Sequence, residues 1–310
     1  MSIFISGSIA YDTVLHFDGI FAEQFRGDLR HLNLTLQANS MVKQFGGCAG
    51  NIAYSLKCLG GDPVIVTTVG MDADEYLSHL QKLGITTDGI LKINDAYTAQ
   101  AIITTDVLGN QLCTFHEGAM ASAASAPWPN RHYDWGIVTP TATPVMKTHV
   151  EKLREKAIPI IWDMGQACAY LTGEDIEWFL NRINMLTVSE FEWQVLLEKT
   201  ARNAQSLYEK VPCIVITAGS EGVKTIKEGK EQCFEAVTVK TPVNPVGCGD
   251  AFRGGLLRGL ELGLGWEKTI RLAMLMGAIK VTHEAAQGYP LDKNEAARLY
   301  ERAFNESIVL

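Results

Sequence analysis

Residues 247 to 250 read Gly-Cys-Gly-Asp, and a small, apolar run from Ala251 through Gly254 and Gly255 to Leu257 follows them. A helix that opens here leaves the backbone N–H groups of Gly247, Cys248 and Gly249 without helical acceptors, and such amides bind negative charge without help from side chains. The flanking glycines let a phosphate come close. Asp250 then lies just inside the helix, placed to take the proton of an attacking hydroxyl. Taken singly, an aspartate in a first turn is also an ordinary partner of the helix dipole.

A second constellation, Phe45-Gly46-Gly47-Cys48-Ala49-Gly50-Asn51, falls between an expected strand and an expected helix. Gly46 and Gly47 allow backbone to approach a ligand and tolerate positive φ, while Asn51 in the first turn offers a donor and acceptors to hydroxyls. Asp12, expected in a short loop beyond the first strand, adds a carboxylate suited to two vicinal hydroxyls. Each has a plainer reading, a turn before a helix for the glycine pair and a turn or cap residue for Asp12. The GxxxxGK[ST] phosphate loop, the protein-kinase glycine-rich loop and a GxGxxG after the first strand are absent from the sequence. Any phosphate site is therefore of another type, and a dinucleotide-dependent redox enzyme is disfavoured.

The elements that must carry these residues alternate. Short β-rich runs at 3–6, 64–69, 135–139, 158–162 and 213–217 are separated by longer stretches of helical period. That pattern belongs to a parallel sheet with helices on both faces. One helix is expected over 48–59, ending at Gly60-Gly61, and three more over 250–262, 268–283 and 294–304. Two stretches, 16–45 and 97–116, have period-two character instead, the second with a turn at Leu108-Gly109-Asn110. They are expected to form a small β-sheet lid over the carboxyl edge of the main sheet, where open α/β sheets bind ligands; the alternative is a pair of edge hairpins. On this division the core comprises 1–15, 46–96 and 117–310.

A chain of 310 residues, 47% of them hydrophobic, can bury a large core, and its formal charge of −8 without a basic run argues against nucleic-acid binding through phosphates. The start lacks a basic segment followed by a long apolar one, and no stretch approaches the roughly 20 apolar residues that span a bilayer. The expectation is a cytoplasmic monomer or homodimer with small-molecule partners, no nucleic acid and no membrane. The seven cysteines are scattered without metal-site spacing and read as reduced thiols. Cys248 stands apart by position, because a helix start lowers a thiol pKa, yet no His or Asn sits beside it and the leading reading is a small residue that fits a tight place.

In order along almost the whole chain, GSIAYD at 7–12, FGGCAGNIAYSLKCLG at 45–60, VTTVGMDADEYLSHLQKLGI at 66–85, VSEFEW at 188–193, VITAGSEG at 215–222 and NPVGCGDAFRGGLLRGL at 244–260 resemble the ribokinase-like (PfkB-type) carbohydrate and nucleoside kinases. Within that family the GGCAGN run, the stretch Thr114–Met120, the Gly-Cys-Gly-Asp run and Glu284-Ala285-Ala286-Gln287 are most similar to bacterial adenosine-kinase-like members. The resemblance implies a three-layer α/β fold, a mostly parallel sheet flanked by helices with a β-lid. It implies Asp250 as general base, Gly247, Cys248 and Gly249 as anion hole, and Asp12, Gly46, Gly47 and Asn51 around the ribose. Phe115 and His116 fall on the lid strand, where His116 either touches a purine or packs at the surface. Thr217, Gly219 and Gly222 match the loop lining the ATP site, and Glu192 the glutamate that organises magnesium through water.

There are two departures. Ser189 replaces the asparagine of the family's N-x-x-E motif, and Asn244 replaces the acid that usually opens the run into the anion hole. The second weakens any potassium site, since a carboxylate is lost. The resulting expectation is ATP- and magnesium-dependent phosphorylation of a ribose hydroxyl with adenosine as leading acceptor. The alternatives are a sugar kinase of the same fold acting on ribose, fructose or a hexose phosphate, and a homologue that binds without turnover.

Overall fold

Alternate residues of the first strand face opposite sides of a sheet. In β1 (Ser2–Ser6), Ile3 and Ile5 enter one hydrophobic core and Phe4 the other. The same alternation recurs in β4 (Pro63–Val69), β10 (Met185–Ser189) and β11 (Cys213–Thr217), as expected of strands buried on both faces. The computed structural model describes residues 2–24 and 34–310. Together with β5 (Ile90–Lys92), β8 (Tyr133–Val138), β9 (Ile160–Asp163), β12 (Val223–Lys227) and β13 (Lys230–Phe234), these strands form a nine-stranded sheet in the order β13-β12-β11-β10-β9-β8-β1-β4-β5. It is parallel from β5 to β11 and antiparallel at β12 and β13.

Besides a single turn, α1 (Phe21–Gln24), helices cover both faces. On one side α4 (Thr143–Glu155), α5 (Gly173–Leu180), α6 (Glu190–Thr200) and α7 (Ala204–Lys210) bury residues such as Met146, Phe179, Leu196 and Leu207. On the other lie α2 (Cys48–Cys58), α3 (Asp74–Lys82), α8 (Cys248–Glu261) and α9 (Trp266–Val281), contributing Ile52, Leu80, Leu256 and Ile270. A third cluster joins α8 and α9 to α10 (Lys293–Phe304) through Leu272, Met276 and Tyr300. The three C-terminal helices thus start within two residues of their expected positions.

A separate four-stranded sheet runs in the order β3-β2-β6-β7, from β2 (Ala10–His16), β3 (Ser40–Gly46), β6 (Ala99–Thr105) and β7 (Gln111–His116). The turn after β6 is tied by Asp106, whose carboxylate accepts from the Leu108 and Asn110 amides at 3.0 and 2.9 Å, with Gly109 at φ +82°. The expected boundary at residue 16 misplaces one strand: 10–16 pairs with β3 and β6, so Asp12 is a strand residue and not a loop residue. Tyr11 and Thr13 alternate with half-buried Asp12 and Val14, a period hidden by the short link after β1. The part of the 16–45 stretch at 25–33 lies outside the described residues.

The helix that carries Asp250 is seated by glycine. A Cβ on Gly255 would lie 2.7 Å from Ala273 Cα in α9 and 2.9 Å from the Leu272 carbonyl oxygen, both backbone atoms with no free end to yield. Gly255→Ala should therefore part the two helices and lower stability by ~1–3 kcal/mol, the usual range for overpacking. Urea unfolding checks this; an unchanged midpoint would mean that α8 and α9 separate freely.

Candidate active site

Two helix starts meet at the carboxyl end of the sheet near β1 and β8, adjacent strands whose connections lead in opposite directions to β4 and β9, the place where open α/β sheets bind ligands. The first, α2, is closed to an outside anion. Ser8 Oγ accepts from the Cys48 amide and the Ser8 carbonyl from the Ala49 amide, each at 3.0 Å. Gly47 has φ +83°, and a Cβ there would sit 2.5 Å from the Ser8 carbonyl oxygen. Both conditions favour glycine.

The second start, α8, has no side-chain cap. Gly247 has φ +80° and lies against Ala286, 2.7 Å from where a Cβ would stand. The Cys248 amide, expected among the free donors, instead donates to the Pro245 carbonyl at 3.1 Å. Among the described residues the amides of Gly247, Gly249 and Asp250 have no protein acceptor. Burial raises the Cys248 thiol pKa despite the helix start, with Lys280 opposing the rise, in line with a small packing residue and not a reactive thiol.

Asp250 is held from several sides. Asn51 Nδ2 donates to its Oδ2 at 2.9 Å. Asn51 is only 4% exposed, and its Oδ1 accepts from Gln287 Nε2 at 3.0 Å, so its amide orients the Asp250 carboxylate and is largely unavailable to a hydroxyl. Gln287 Nε2 also reaches Tyr76 Oη at 2.6 Å, and that hydroxyl donates to the Gly46 carbonyl at 2.7 Å. Burial pushes the Asp250 carboxyl above the usual range, Arg253, Asn51 and Cys48 pull it back, and Glu192 adds to the rise. Arg253, one turn further along α8, pairs with buried Asp163 at the end of β9. Burial works against the guanidinium charge, but Asp163, Asp250 and Glu192 hold it protonated.

Above lies a cavity of about 790 Å³, lined by Asp12, Gly47, Cys48, Asn51, Gly247 and Asp250 on the polar side. Ala101, Ile103, Phe115, Met120 and Tyr170 make an apolar wall opposite. The small sheet supplies Ala101, Ile103 and Phe115 of that wall, since Asp12 and Ala101 are cross-strand partners, as are Ala101 and Phe115; Met120 and Tyr170 come from turns of the main domain. Phe115 is 50% exposed, an aromatic surface without a protein partner to cover it fully. His116, at the strand end, also lines the cavity. Gly46 does not line it; a Cβ there would fall 2.2 Å from the Asp12 carboxylate, so its small size makes room for that side chain. Burial, and then the charge of Asp250, push Asp12 up to about 6.

The remaining expected residues lie outside this cavity. Ser189 and Thr217 are neighbours at the carboxyl ends of β10 and β11. Ser189 caps α6: its Oγ accepts from the Glu192 amide at 3.3 Å, and Glu192 Oε2 accepts from the Ser189 amide at 2.7 Å. This reciprocal pair explains how serine serves where the family has asparagine. Gly219 (φ +56°) and Gly222 (φ +103°) bound the turn after β11, which the Ala218 amide closes on the Gly222 carbonyl at 2.9 Å. Sequence reasoning missed Tyr76, Asp163 and Arg253; only the i, i+3 spacing of Asp250 and Arg253 hinted at the last.

The fold is that of the ribokinase-like kinases. A family model described as pfkB family carbohydrate kinase matches residues 20–294, and the chain belongs to that family. It is a carbohydrate/nucleoside kinase. It is similar to a nucleoside kinase of Burkholderia thailandensis solved in complex with inosine, at 35% identity and TM-score 0.89, covering 98% of this chain and 99% of that one. The same protein in complex with ADP-inosine matches at 36% identity and TM-score 0.85, over 98% and 97%. A nucleoside kinase of Methanothermobacter thermautotrophicus is 25% identical over 300 residues, 95% of this chain and 94% of that protein. Among the described residues no helix is long and apolar enough to cross a membrane.

Because Asp12 titrates at about 6, it loses its charge and one acceptor site as the pH falls through that value. If Asp12 faces the hydroxyl acceptor, kcat/KM for that acceptor should fall on the acid side in a limb through about pH 6, and Asp250, whose carboxyl is raised as well, should add to the fall. Asp12→Asn should make that limb shallower. A pH–rate profile checks this; a wild-type limb beginning only below about pH 5, in the ordinary carboxylate range, would remove the raised pair from the free enzyme.

Proposed function

We propose that this protein transfers the γ-phosphoryl group of ATP to the ribose hydroxyl of a purine nucleoside, with adenosine as the leading acceptor and inosine the next to test. The observation that carries the reading is Asp250, oriented by Asn51 beside unpaired helix-start amides, in a cavity with a second carboxylate at one side and an apolar wall at the other. A ribose fits the polar side, its vicinal hydroxyls on Asp12, whose carboxylate has no protein donor among the described residues. The base lies against Phe115, Ile103 and Tyr170, which a free sugar would leave bare; this favours a nucleoside over a hexose or free ribose.

The hydroxyl proton passes to Asp250 as the oxygen attacks phosphorus, and a carboxylate of raised pKa is the better acceptor for it. The amides of Gly249 and Asp250 face the charge on the transferred group, and being fixed by the helix they need no reorganisation. We assign ATP to the edge formed by Ser189, Thr217, Gly219 and Gly222. Among the described residues no three acidic, histidine or cysteine side chains gather into a metal cage. That suits an ion held chiefly by phosphates and water, as magnesium is, with Glu192 near it: one of its oxygens is on Ser189 and the other has no protein donor among the described residues. Magnesium there would neutralise phosphate charge. Asn244 offers no carboxylate to a potassium ion, and we expect little potassium dependence.

Asp250→Asn should lower kcat by ~10²–10⁴ and leave nucleoside affinity within a few-fold, since the amide can still accept from Asn51 but cannot take a proton. Asp12→Ala should raise the KM for adenosine far more than that for ATP. Steady-state kinetics with adenosine, inosine, cytidine, ribose and fructose check both. Near-normal turnover in Asp250→Asn would end the base assignment, and a preference for free sugars would end the nucleoside reading.

A further inference from the structure

Lys280, near the end of α9, is the one lysine among the described residues that is fully enclosed, at 0% exposure. Its Nζ donates to the backbone carbonyls of Asn244, at 2.8 Å, and His283, at 3.0 Å. No carboxylate among the described residues lies within ion-pair distance of it, and burial lowers its pKa, with Cys248 and Glu284 opposing. A buried ammonium without a carboxylate is costly, and an apolar side chain of similar volume would fill the space more cheaply. What the charge gains here is two carbonyls on two different segments.

Both segments lead into the site. Asn244 begins the link to Gly247 and the uncapped start of α8. Its side chain is turned back into the same junction, Nδ2 donating to the Glu284 carbonyl at 2.8 Å and Oδ1 accepting from the Val246 amide at 2.9 Å. His283 begins the segment that carries Ala286, packed on Gly247, and Gln287, which orients Asn51 and through it Asp250. The ammonium therefore ties the anion-binding amides to the chain of side chains that aims the base.

We propose that Lys280 is a positioning residue for phosphoryl transfer, a cation built into the fold that holds the 244–247 and 283–287 segments together and so sets the helix start against Asp250. This rests on the kinase reading above. It follows that the junction needs no cation from solution, because a side chain supplies the charge.

The test uses Lys280→Met, which keeps the stem and removes the charge, and Lys280→Ala, which leaves room for a small ion. In both, kcat should fall about tenfold or more, as for other displacements of reacting groups, while the KM for adenosine stays within about threefold. Amide hydrogen exchange over 244–250 should accelerate in both. Ammonium or potassium chloride should restore part of the activity and protection to Lys280→Ala, and tetramethylammonium chloride at equal ionic strength should not. Neither salt should rescue Lys280→Met or activate the wild type. The proposal is overturned if Lys280→Met keeps kcat within about twofold, or if both variants lose folding cooperativity and nucleoside binding together with no response to ammonium. If the wild type phosphorylates nothing, the kinase reading fails, and hydrogen exchange over 244–250 still decides the role of Lys280.

Discussion

The hydrogen bond from Asn51 to Asp250 spans 199 residues of sequence, and the site depends on it. It forms only where the first turns of α2 and α8 meet, and small residues bring them there. A Cβ on Gly254 would lie 2.5 Å from Ser55 Cβ of α2, and its neighbour Gly255 lies equally close to α9. Two adjacent glycines thus let one helix approach a neighbour on either side. At the helix start Gly247 presses on Ala286, so the backbone that exposes the free amides is seated by the segment that also positions Gln287. Packing and chemistry share the same few atoms.

Charge balance is the second constraint. Asp163, Glu192 and Asp250 all act on Arg253, and burial opposes the charge on each buried member. The base role proposed for Asp250 requires a carboxylate that is ionised yet basic enough to take a proton. Burial raises Asp250, and the Asn51 donor with the Arg253 charge keeps the rise in check. The direction of the Asn51 amide is itself fixed: the Tyr76 hydroxyl gives its proton to the Gly46 carbonyl and accepts from Gln287 Nε2, so the same Nε2 donates to Asn51 Oδ1 and Asn51 Nδ2 faces Asp250.

The small sheet meets a different need. Its strand β2 follows β1 after three residues, so Asp12 is carried over the carboxyl edge of the main sheet by the shortest available link. Period two then sends Asp12, Ala101, Ile103, Cys113 and Phe115 toward one cavity, a carboxylate at one end and apolar groups along the rest. Such a surface matches a ligand with hydroxyls at one end and a flat apolar face at the other.

Much of this was legible in the sequence because it is local. Short β-rich runs marked five strands of the parallel sheet but not β5 or β10, helical spacing specified the C-terminal helices to within two residues, and the glycines around Cys48 and Cys248 marked both helix starts. The sequence by itself also singled out Asp250, Asp12 and Asn51 as the polar groups of one site. It did not decide what Asn51 does, because an amide that can serve a ligand can equally serve a neighbour, and only packing brought Gln287 and Asp250 to its two ends. It left Cys248 between a reactive thiol and a small packing residue; the thiol answers to burial more than to the helix start, and burial is a property of everything packed around it. Lys280 and Arg253 looked like ordinary charges on helices, since linear spacing says nothing about which face is enclosed or whose carbonyl lies opposite. Residue types and local period determine which elements form and what chemistry is available, whereas long-range contact alone decides which groups are desolvated and aimed at one another, because those energies depend on distance in space and not along the chain.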